Sequence, residues 1–116
     1  MVTWGQLVII NLYGCNPARI SDQKFIADFL PRLCQHIHMV PHASALVDRF
    51  WDGELEGVSG VQLLKTSSIT IHADEMENRV FLDVFSCSRF ESRKATQFAT
   101  QEFEAMRSCY RTIVRK

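Results

Sequence analysis

The sequence predicts an α+β domain built as a two-layer sandwich, with two helices packed on one face of an antiparallel sheet. Three observations lead to this prediction. Several stretches show the alternation or the dense aliphatic content of strands, and two longer stretches repeat apolar residues at helical spacing. Short polar turns join successive strands, and such hairpins make neighbouring strands antiparallel. The 116 residues fit a single domain, 1–116, without linker or repeat.

The first strand and the first helix are predicted from the opening third of the chain. Residues 6–13 are rich in Leu, Val and Ile, and the turn residues 14–17 end this strand. Ser21 or Asp22 caps the helix that follows. Pro31 lies inside the helical pattern, so we expect a kink or an interruption there. The apolar stripe of this helix consists of Phe25, Ile26, Phe29, Leu30 and Leu33.

The rest of the chain supplies most of the sheet and the second helix. Strand-like stretches cover 43–51, 58–64, 68–72 and 79–86. The stretches 58–64 and 68–72 lie on either side of a possible break at Thr66-Ser67. The predicted order is β-α-β-β-β-α with a possible final strand at 110–114. The second helix is predicted over 92–109, and its inner stripe consists of Phe98, Phe103 and Met106.

Composition excludes several classes of function. Thirteen basic and thirteen acidic side chains leave no net charge, which argues against a nucleic-acid or membrane-surface protein. No apolar run is long enough to cross a membrane, and the N-terminus lacks the features of a signal peptide. We therefore expect a cytoplasmic protein with reduced thiols. The four cysteines are widely spaced without a C-x-x-C pair, which indicates neither a disulfide framework nor a zinc finger.

The serines beside the predicted break are candidates for self-cleavage of the backbone. A serine hydroxyl attacks the preceding carbonyl, the amide becomes an ester, and elimination leaves a ketone at the new N-terminus. This chemistry needs a strained peptide, an oxyanion donor and a proton shuttle. Thr66-Ser67 is a candidate bond, with Ser59 and His72 as candidate helpers. Ser67 and His72 lie on opposite faces of a regular strand, so their cooperation requires a turn or bulge near Ser67. Composition alone favours the alternative of ordinary strand-end hydroxyls.

Cys87 is the second candidate for chemistry. It follows Asp83 and Phe85 at a period of two, so the three residues share a face. A cysteine at a strand end is usually a small core residue. If it opens into a cleft, it serves as a proton donor or a nucleophile.

Three further patterns have weaker functional interpretations. The spacing of His36, His38 and His42 matches no closed metal site, and a polar helix end is favoured, so no metal is predicted. Phe50 and Trp51 face opposite ways on a strand, which places one in the core and leaves the other free to stack on a ligand. The basic residues after position 106 are interpreted as a solvated tail, Arg107, Arg111, Arg115 and Lys116.

Taken together, the motifs and their order resemble the short prokaryotic S-adenosylmethionine decarboxylases. The resemblance extends from about Gly5 to the final helix. The segments that carry it are Gly5-Gln6, Leu12-Tyr13-Gly14-Cys15-Asn16, Arg49-Phe50, Gly57-Val58-Ser59-Gly60-Val61, Ser67-Ser68-Ile69-Thr70-Ile71-His72 and Asp83-Val84-Phe85-Ser86-Cys87.

This resemblance implies a pyruvoyl-dependent, homodimeric decarboxylase of polyamine biosynthesis that acts on a small amino-acid substrate. The proenzyme would cleave itself between Thr66 and Ser67, and Ser67 would become the pyruvoyl cofactor that forms a Schiff base with the substrate amine. Ser59 and His72 correspond to the family's processing residues and Cys87 to its catalytic proton donor. Phe50 corresponds to the aromatic residue that helps to hold the substrate, with substrate sites near the dimer interface.

The sequence departs from the family pattern around the substrate. Thr66 replaces a glutamate, Ser88 replaces a glycine, and Ala73-Asp74-Glu75-Met76 replaces a Thr-Trp-Pro-Glu segment. S-adenosylmethionine is the substrate that the resemblance implies. Because carboxylates suit a cationic side chain, Asp74 and Glu75 also suggest a basic amino acid such as ornithine or arginine. The alternative function is an unprocessed, non-catalytic homologue that acts as a binding or regulatory partner.

Overall fold

A computed structural model describes residues 3–51 and 53–116 of the chain. Six antiparallel strands form one sheet in the order β2-β3-β4-β5-β1-β6. The elements are β1 (Gly5–Tyr13), α1 (Pro17–Ile20), α2 (Gln23–His36), β2 (Leu46–Phe50), β3 (Gly57–Leu64), β4 (Ser67–Asp74), β5 (Arg79–Ser86), α3 (Ser92–Glu102) and β6 (Arg107–Arg115), with a 3₁₀ turn at Gly53–Leu55. The helices cover one face of the sheet, so the predicted α+β two-layer fold is confirmed.

The two faces of the sheet differ in composition, as strand alternation requires. The inner face points at the helices and carries the fully buried residues Val8, Ile10, Leu12, Val58, Ile69, Ile71, Val80, Leu82 and Val84. The opposite face, which we call the open face, is covered by none of the helices in the described residues. Residues directly opposite each other in register share a face, so Ser59, His72 and Phe81 all lie on the open face.

The first helix region begins and packs as predicted, but it does not break at Pro31. The Asp22 carboxylate caps α2 by accepting hydrogen bonds from the backbone N–H groups of Lys24 and Phe25. The helix continues through Pro31 to His36. Proline inside a helix costs about 3 kcal/mol or more. Burial of Phe29, Leu30, Leu33 and Cys34 against the sheet offsets this cost on both sides of Pro31.

The predicted second helix is too long. It ends at Glu102, Glu104 adopts a φ of 51°, and the chain then forms β6, which pairs with β1 along its whole length. Phe103 is fully buried as predicted, whereas Met106 is 88% exposed, so its assignment to the core is wrong. The interpretation of a solvated tail is also wrong for the arginines, because 107–115 is an exposed edge strand.

The strand-like stretches on either side of Thr66-Ser67 form two strands, β3 and β4. The chain reverses at Lys65-Thr66, and β3 and β4 pair from Leu64–Ser67 back to Ser59–His72. None of the described helices is long and apolar enough to cross a membrane.

Candidate functional site

The turn between β3 and β4 carries backbone strain. Leu64 pairs with Ser67, so only Lys65 and Thr66 make the reversal. Thr66 adopts a φ of 78°. A β-branched side chain is disfavoured in this region, and such conformations cost about 1–3 kcal/mol. The strained residue supplies the carbonyl of the peptide bond that precedes Ser67.

The side chain of Ser67 is fixed by two neighbours on β5 and just beyond it. Its hydroxyl donates a hydrogen bond to the Ser86 hydroxyl oxygen at 3.1 Å and accepts one from the Cys87 backbone N–H at 3.3 Å. Ser86 is fully buried, and its oxygen also accepts a hydrogen bond from the Ser88 backbone N–H at 2.9 Å. Ser67 therefore has a single defined hydroxyl position at the start of β4.

Cys87 lies beside the same turn. The Thr66 hydroxyl oxygen is 2.7 Å from the Cys87 sulfur. This hydrogen bond is the main reason that the pKa of the Cys87 thiol is below its ordinary value, and a hydrogen bond from Ser88 acts in the same direction. Gly5 of β1 packs against the backbone here, and a Cβ at Gly5 would collide with the Ser86 carbonyl oxygen. The glycine thus allows the close approach that positions Cys87.

The predicted processing pair forms, but far from Ser67. The Ser59 hydroxyl and the His72 Nδ1 are 3.0 Å apart on the open face. Because β4 is regular from Ser67 to His72, the side chains of Ser67 and His72 lie on opposite faces of the sheet and about 16 Å apart along the strand. The turn near Ser67 precedes the strand and does not change its alternation. Within one protomer, the structure does not bring His72 or Ser59 to Ser67.

Ser59 and His72 line a cavity of about 670 Å³, together with Phe50 and Asp74. Asp74 forms an ion pair with Arg79 at 2.6 Å. Glu75 is turned elsewhere and forms an ion pair with Arg49 at 2.9 Å. Both carboxylates that were candidates for substrate binding therefore already have an arginine partner.

Phe50 and Trp51 are both exposed, at 55% and 76%, so the assignment of one of them to the core is wrong. The reason is that β2 is an edge strand, and Phe50 ends it on the open face.

A second cavity, of about 370 Å³, is lined by Trp4, Gln6, Cys87 and Arg89. Trp4 stacks on Phe85 with ring centroids 5.5 Å apart, which gives Cys87 an aromatic neighbour.

Ser86 was not among the residues predicted for the site, although the sequence contains a signal for it. The turn at 74–78 makes a hairpin of β4 and β5, and the register that starts at Asp74–Arg79 places Ser67 opposite Ser86. Counting this register from the turn would have identified the partner of Ser67. Trp4 had no comparable signal, because its contacts arise from the pairing of β1 with β5 across most of the chain.

Comparisons with known proteins agree with this architecture. Residues 6–116 match the family model described as S-adenosylmethionine decarboxylase. A solved adenosylmethionine decarboxylase from Aquifex aeolicus has the same fold, with a TM-score of 0.84, 21% identity, and coverage of 99% of this chain and 92% of that one.

Curated relatives are named S-adenosylmethionine decarboxylase proenzyme. One from Clostridium botulinum strain Loch Maree is 26% identical over 112 residues, which cover 96% of this chain and 93% of the relative. One from strain Langeland is 30% identical over 95 residues, covering 81% and 78%. One from Synechococcus strain WH7803 is 27% identical over 118 residues, covering 97% and 85%.

The fold and the site define a two-layer α+β protein with a fixed serine after a strained hairpin turn and a thiol beside it. The chain belongs to the S-adenosylmethionine decarboxylase family. The resemblance inferred from the sequence motifs is confirmed.

Proposed function

We propose that this protein is a self-processing, pyruvoyl-dependent decarboxylase that cleaves itself between Thr66 and Ser67. One observation carries the proposal: the Ser67 hydroxyl is fixed directly after the strained Thr66 and beside the Cys87 thiol. Strain in the peptide that must break lowers the barrier to its attack, and two hydrogen bonds hold the attacking oxygen.

The processing steps need only this chain and water. The Ser67 oxygen bonds to the Thr66 carbonyl carbon, the Thr66–Ser67 C–N bond breaks, and the hydroxyl proton ends on the freed amine. Loss of the Ser67 α-proton then breaks its Cβ–O bond and releases Thr66 as a carboxylate. Water replaces the nitrogen of the resulting dehydroalanine, which releases ammonia and leaves the pyruvoyl ketone at residue 67.

The residues around position 67 then suit a decarboxylation. The pyruvoyl group, when formed, supplies an electron sink for the pair of electrons left by carbon dioxide. Cys87 is an exposed thiol next to position 67, and we assign to it the return of a proton to the substrate α-carbon. Trp4, whose ring stacks on Phe85, lines the cavity that contains Cys87 and gives it a partly apolar wall.

The role of Thr66 in tuning Cys87 gives a pH prediction. In the uncleavable Ser67→Ala background, we expect Thr66→Val to move the midpoint of Cys87 alkylation by iodoacetamide to higher pH. The hydroxyl lowers the thiol pKa by stabilising the thiolate, so its removal raises that pKa. Alkylation of the exposed Cys109 in the same samples is the control. An unchanged Cys87 midpoint would show that Thr66 does not act on the thiol.

The separation of the processing pair from Ser67 points to a homodimer. On the open face, which no helix of the described residues covers, the apolar residues Leu46, Leu63 and Ile113 are exposed, and Leu7, Val61, Phe81 and Phe85 are half-buried. A second copy packed on this face would bury these side chains. We propose that the dimer brings the Ser59–His72 pair of one protomer to Ser67 of its partner, where the imidazole accepts and returns the migrating proton.

Mixed dimers test this arrangement. We expect His72→Ala and Ser67→Ala proteins to stay intact separately, and the His72→Ala chain to be cleaved when the two are coexpressed. In the mixed dimer, the Ser67→Ala chain supplies an intact His72 to the unaltered Ser67 of its partner. Intact mass spectrometry with one tagged chain gives the measurement.

The matched control pairs His72→Ala with the double variant Ser67→Ala/His72→Ala, which offers no imidazole to either chain and should leave both intact. Rapid cleavage of His72→Ala on its own, or an uncleaved chain in purified mixed dimers, would contradict the arrangement.

S-adenosylmethionine is the substrate we propose. The exposed Phe50 ring lies in the same cavity as Ser59 and His72, and an aromatic ring suits an adenine base and a sulfonium cation. A basic amino acid is less well supported, because Asp74 and Glu75 are paired with Arg79 and Arg49. Carbon dioxide release from S-adenosylmethionine, ornithine, arginine and lysine decides between them, and activity on ornithine or arginine alone would overturn this choice.

The compartment proposed for this enzyme is the cytoplasm. Cys15, Cys34, Cys87 and Cys109 are all free thiols, which suits a reducing environment.

A further inference from the structure

We propose that Ser86 is a positioning residue for self-cleavage, holding the Ser67 hydroxyl in the conformation from which it attacks the Thr66 carbonyl. This inference rests on the proposed self-processing function and assigns a role to a residue outside the Ser59, His72 and Cys87 set.

The contacts of Ser86 form a chain that ends on the attacking oxygen. Its own oxygen accepts a hydrogen bond from the Ser88 backbone N–H at 2.9 Å, which fixes the Ser86 side chain. The same oxygen accepts the hydroxyl hydrogen of Ser67 at 3.1 Å. Ser86 is fully buried on the inner face of β5, so no water competes for this oxygen.

The second contact of Ser67 completes the geometry. The Cys87 N–H donates to the Ser67 oxygen at 3.3 Å, while the Ser67 hydrogen points to Ser86. With its hydrogen directed away, the oxygen keeps a lone pair that is not used by either neighbour. A free serine side chain divides among three rotamers, and confining it to one of them costs entropy. Because Ser86 already holds the Ser67 side chain in one rotamer, the attack does not have to bear this entropy cost.

Ser86 is not assigned the role of a proton acceptor. The hydroxyl proton of Ser67 must finally reach the amine that the broken C–N bond releases, and a neutral hydroxyl is too weak a base to remove it unaided. The step forms one C–O bond, breaks one C–N bond and moves one proton within the same residue pair. The step therefore balances without an oxidant, a reductant or a co-reactant. Ser86 only fixes the position from which the Ser67 oxygen begins its attack.

Ser86→Ala provides the first test, with processing followed over time by intact mass. We expect self-cleavage to slow by about threefold, because the attacking oxygen, no longer held in one rotamer, divides among three. Ser86→Thr keeps the hydroxyl and suits a strand, so it should cleave close to the wild-type rate. Thr96→Val is the matched control, because it removes another buried hydroxyl, one that bonds the Ser92 carbonyl within α3.

Treatment with hydroxylamine distinguishes a defect in the serine attack from a defect in the later elimination step. It cleaves the ester formed by the serine attack. If Ser86 acts on the attack, Ser86→Ala accumulates no ester, and hydroxylamine leaves its slow cleavage unchanged. If hydroxylamine restores fast cleavage, the attack is intact in Ser86→Ala and the inference is overturned.

The outcomes also separate this inference from the function on which it depends. Wild-type cleavage together with equally fast cleavage of Ser86→Ala would overturn the inference alone. A wild-type chain that never cleaves would overturn both. Equal slowing by Thr96→Val would show that any lost buried hydroxyl has this effect, and would also overturn the positioning role.

Discussion

Ser67→Ala is expected to remain a single chain of 116 residues, while the wild-type protein separates into fragments 1–66 and 67–116. The alanine lacks the oxygen that must bond to the Thr66 carbonyl carbon, so no ester forms and no ketone follows. Decarboxylase activity should be lost entirely, because the electron sink is never made. Intact mass spectrometry after prolonged incubation measures the cleavage, and a carbonyl-reactive reagent identifies the ketone on the second fragment.

Ser68→Ala is the matched control for this experiment. Ser68 is the adjacent residue and also carries a hydroxyl, but it lies on the open face, opposite Phe85 and away from Ser86. The Ser68→Ala variant should cleave itself at the same rate as the wild type. A wild-type chain that keeps its full-length mass would contradict the proposed function and would favour the non-catalytic homologue. Cleavage of Ser67→Ala at the same bond would exclude Ser67 as the attacking residue.

Cys87→Ala is expected to process into two fragments and then to decarboxylate substrate slower by about 10² or more, the usual contribution of a positioned general acid. The Ser67 contact with position 87 is to the backbone N–H, which alanine retains. The variant therefore removes the thiol and keeps the geometry of processing. Single-turnover release of carbon dioxide, compared with product formation, shows whether carbon–carbon cleavage or the later protonation is affected.

Cys109→Ala provides the comparison for a loss of thiol without a loss of chemistry. Cys109 is also exposed and free, but it lies on β6, the edge strand paired with β1. Its variant should keep wild-type kcat and KM. Equal activity of Cys87→Ala and the wild type would remove the thiol from the reaction. A loss of both fragments in Cys87→Ala would instead assign the thiol to processing.

The sequence was sufficient for features that depend on local pattern. Dense aliphatic content located the strand at 6–13, strand-like residue patterns located those at 58–64 and 79–86, and the Asp22 cap with the stripe from Phe25 to Leu33 located α2. Errors arose where tertiary contacts outweighed local preference. Pro31 is tolerated because apolar residues on both sides of it are buried. Residues 103–109 leave the helical pattern because β1 offers an unpaired edge on which the chain forms β6.

The candidate site was predictable as a set of residue types and not as a geometry. The motifs predicted a site of Ser59, Ser67, His72 and Cys87, and a hydrogen bond joins Ser59 and His72 in the structure. The motifs could not indicate that this pair is on the opposite face and about 16 Å along the strand from Ser67. Likewise Asp74 and Glu75 were candidates for a cationic substrate until their pairing with Arg79 and Arg49 was known.

The sequence by itself determined the class of fold and the family and supplied the candidate site residues, because alternation, capping and motif order are properties of neighbouring residues. Only the tertiary structure decided which of those residues meet. Strand register joins positions that lie far apart in the chain, placing Ser86 and Cys87 around Ser67 and leaving His72 on the opposite face of the sheet. The physical reason is that each face of a sheet collects alternate residues from several strands, and no single stretch of sequence records which residues become neighbours.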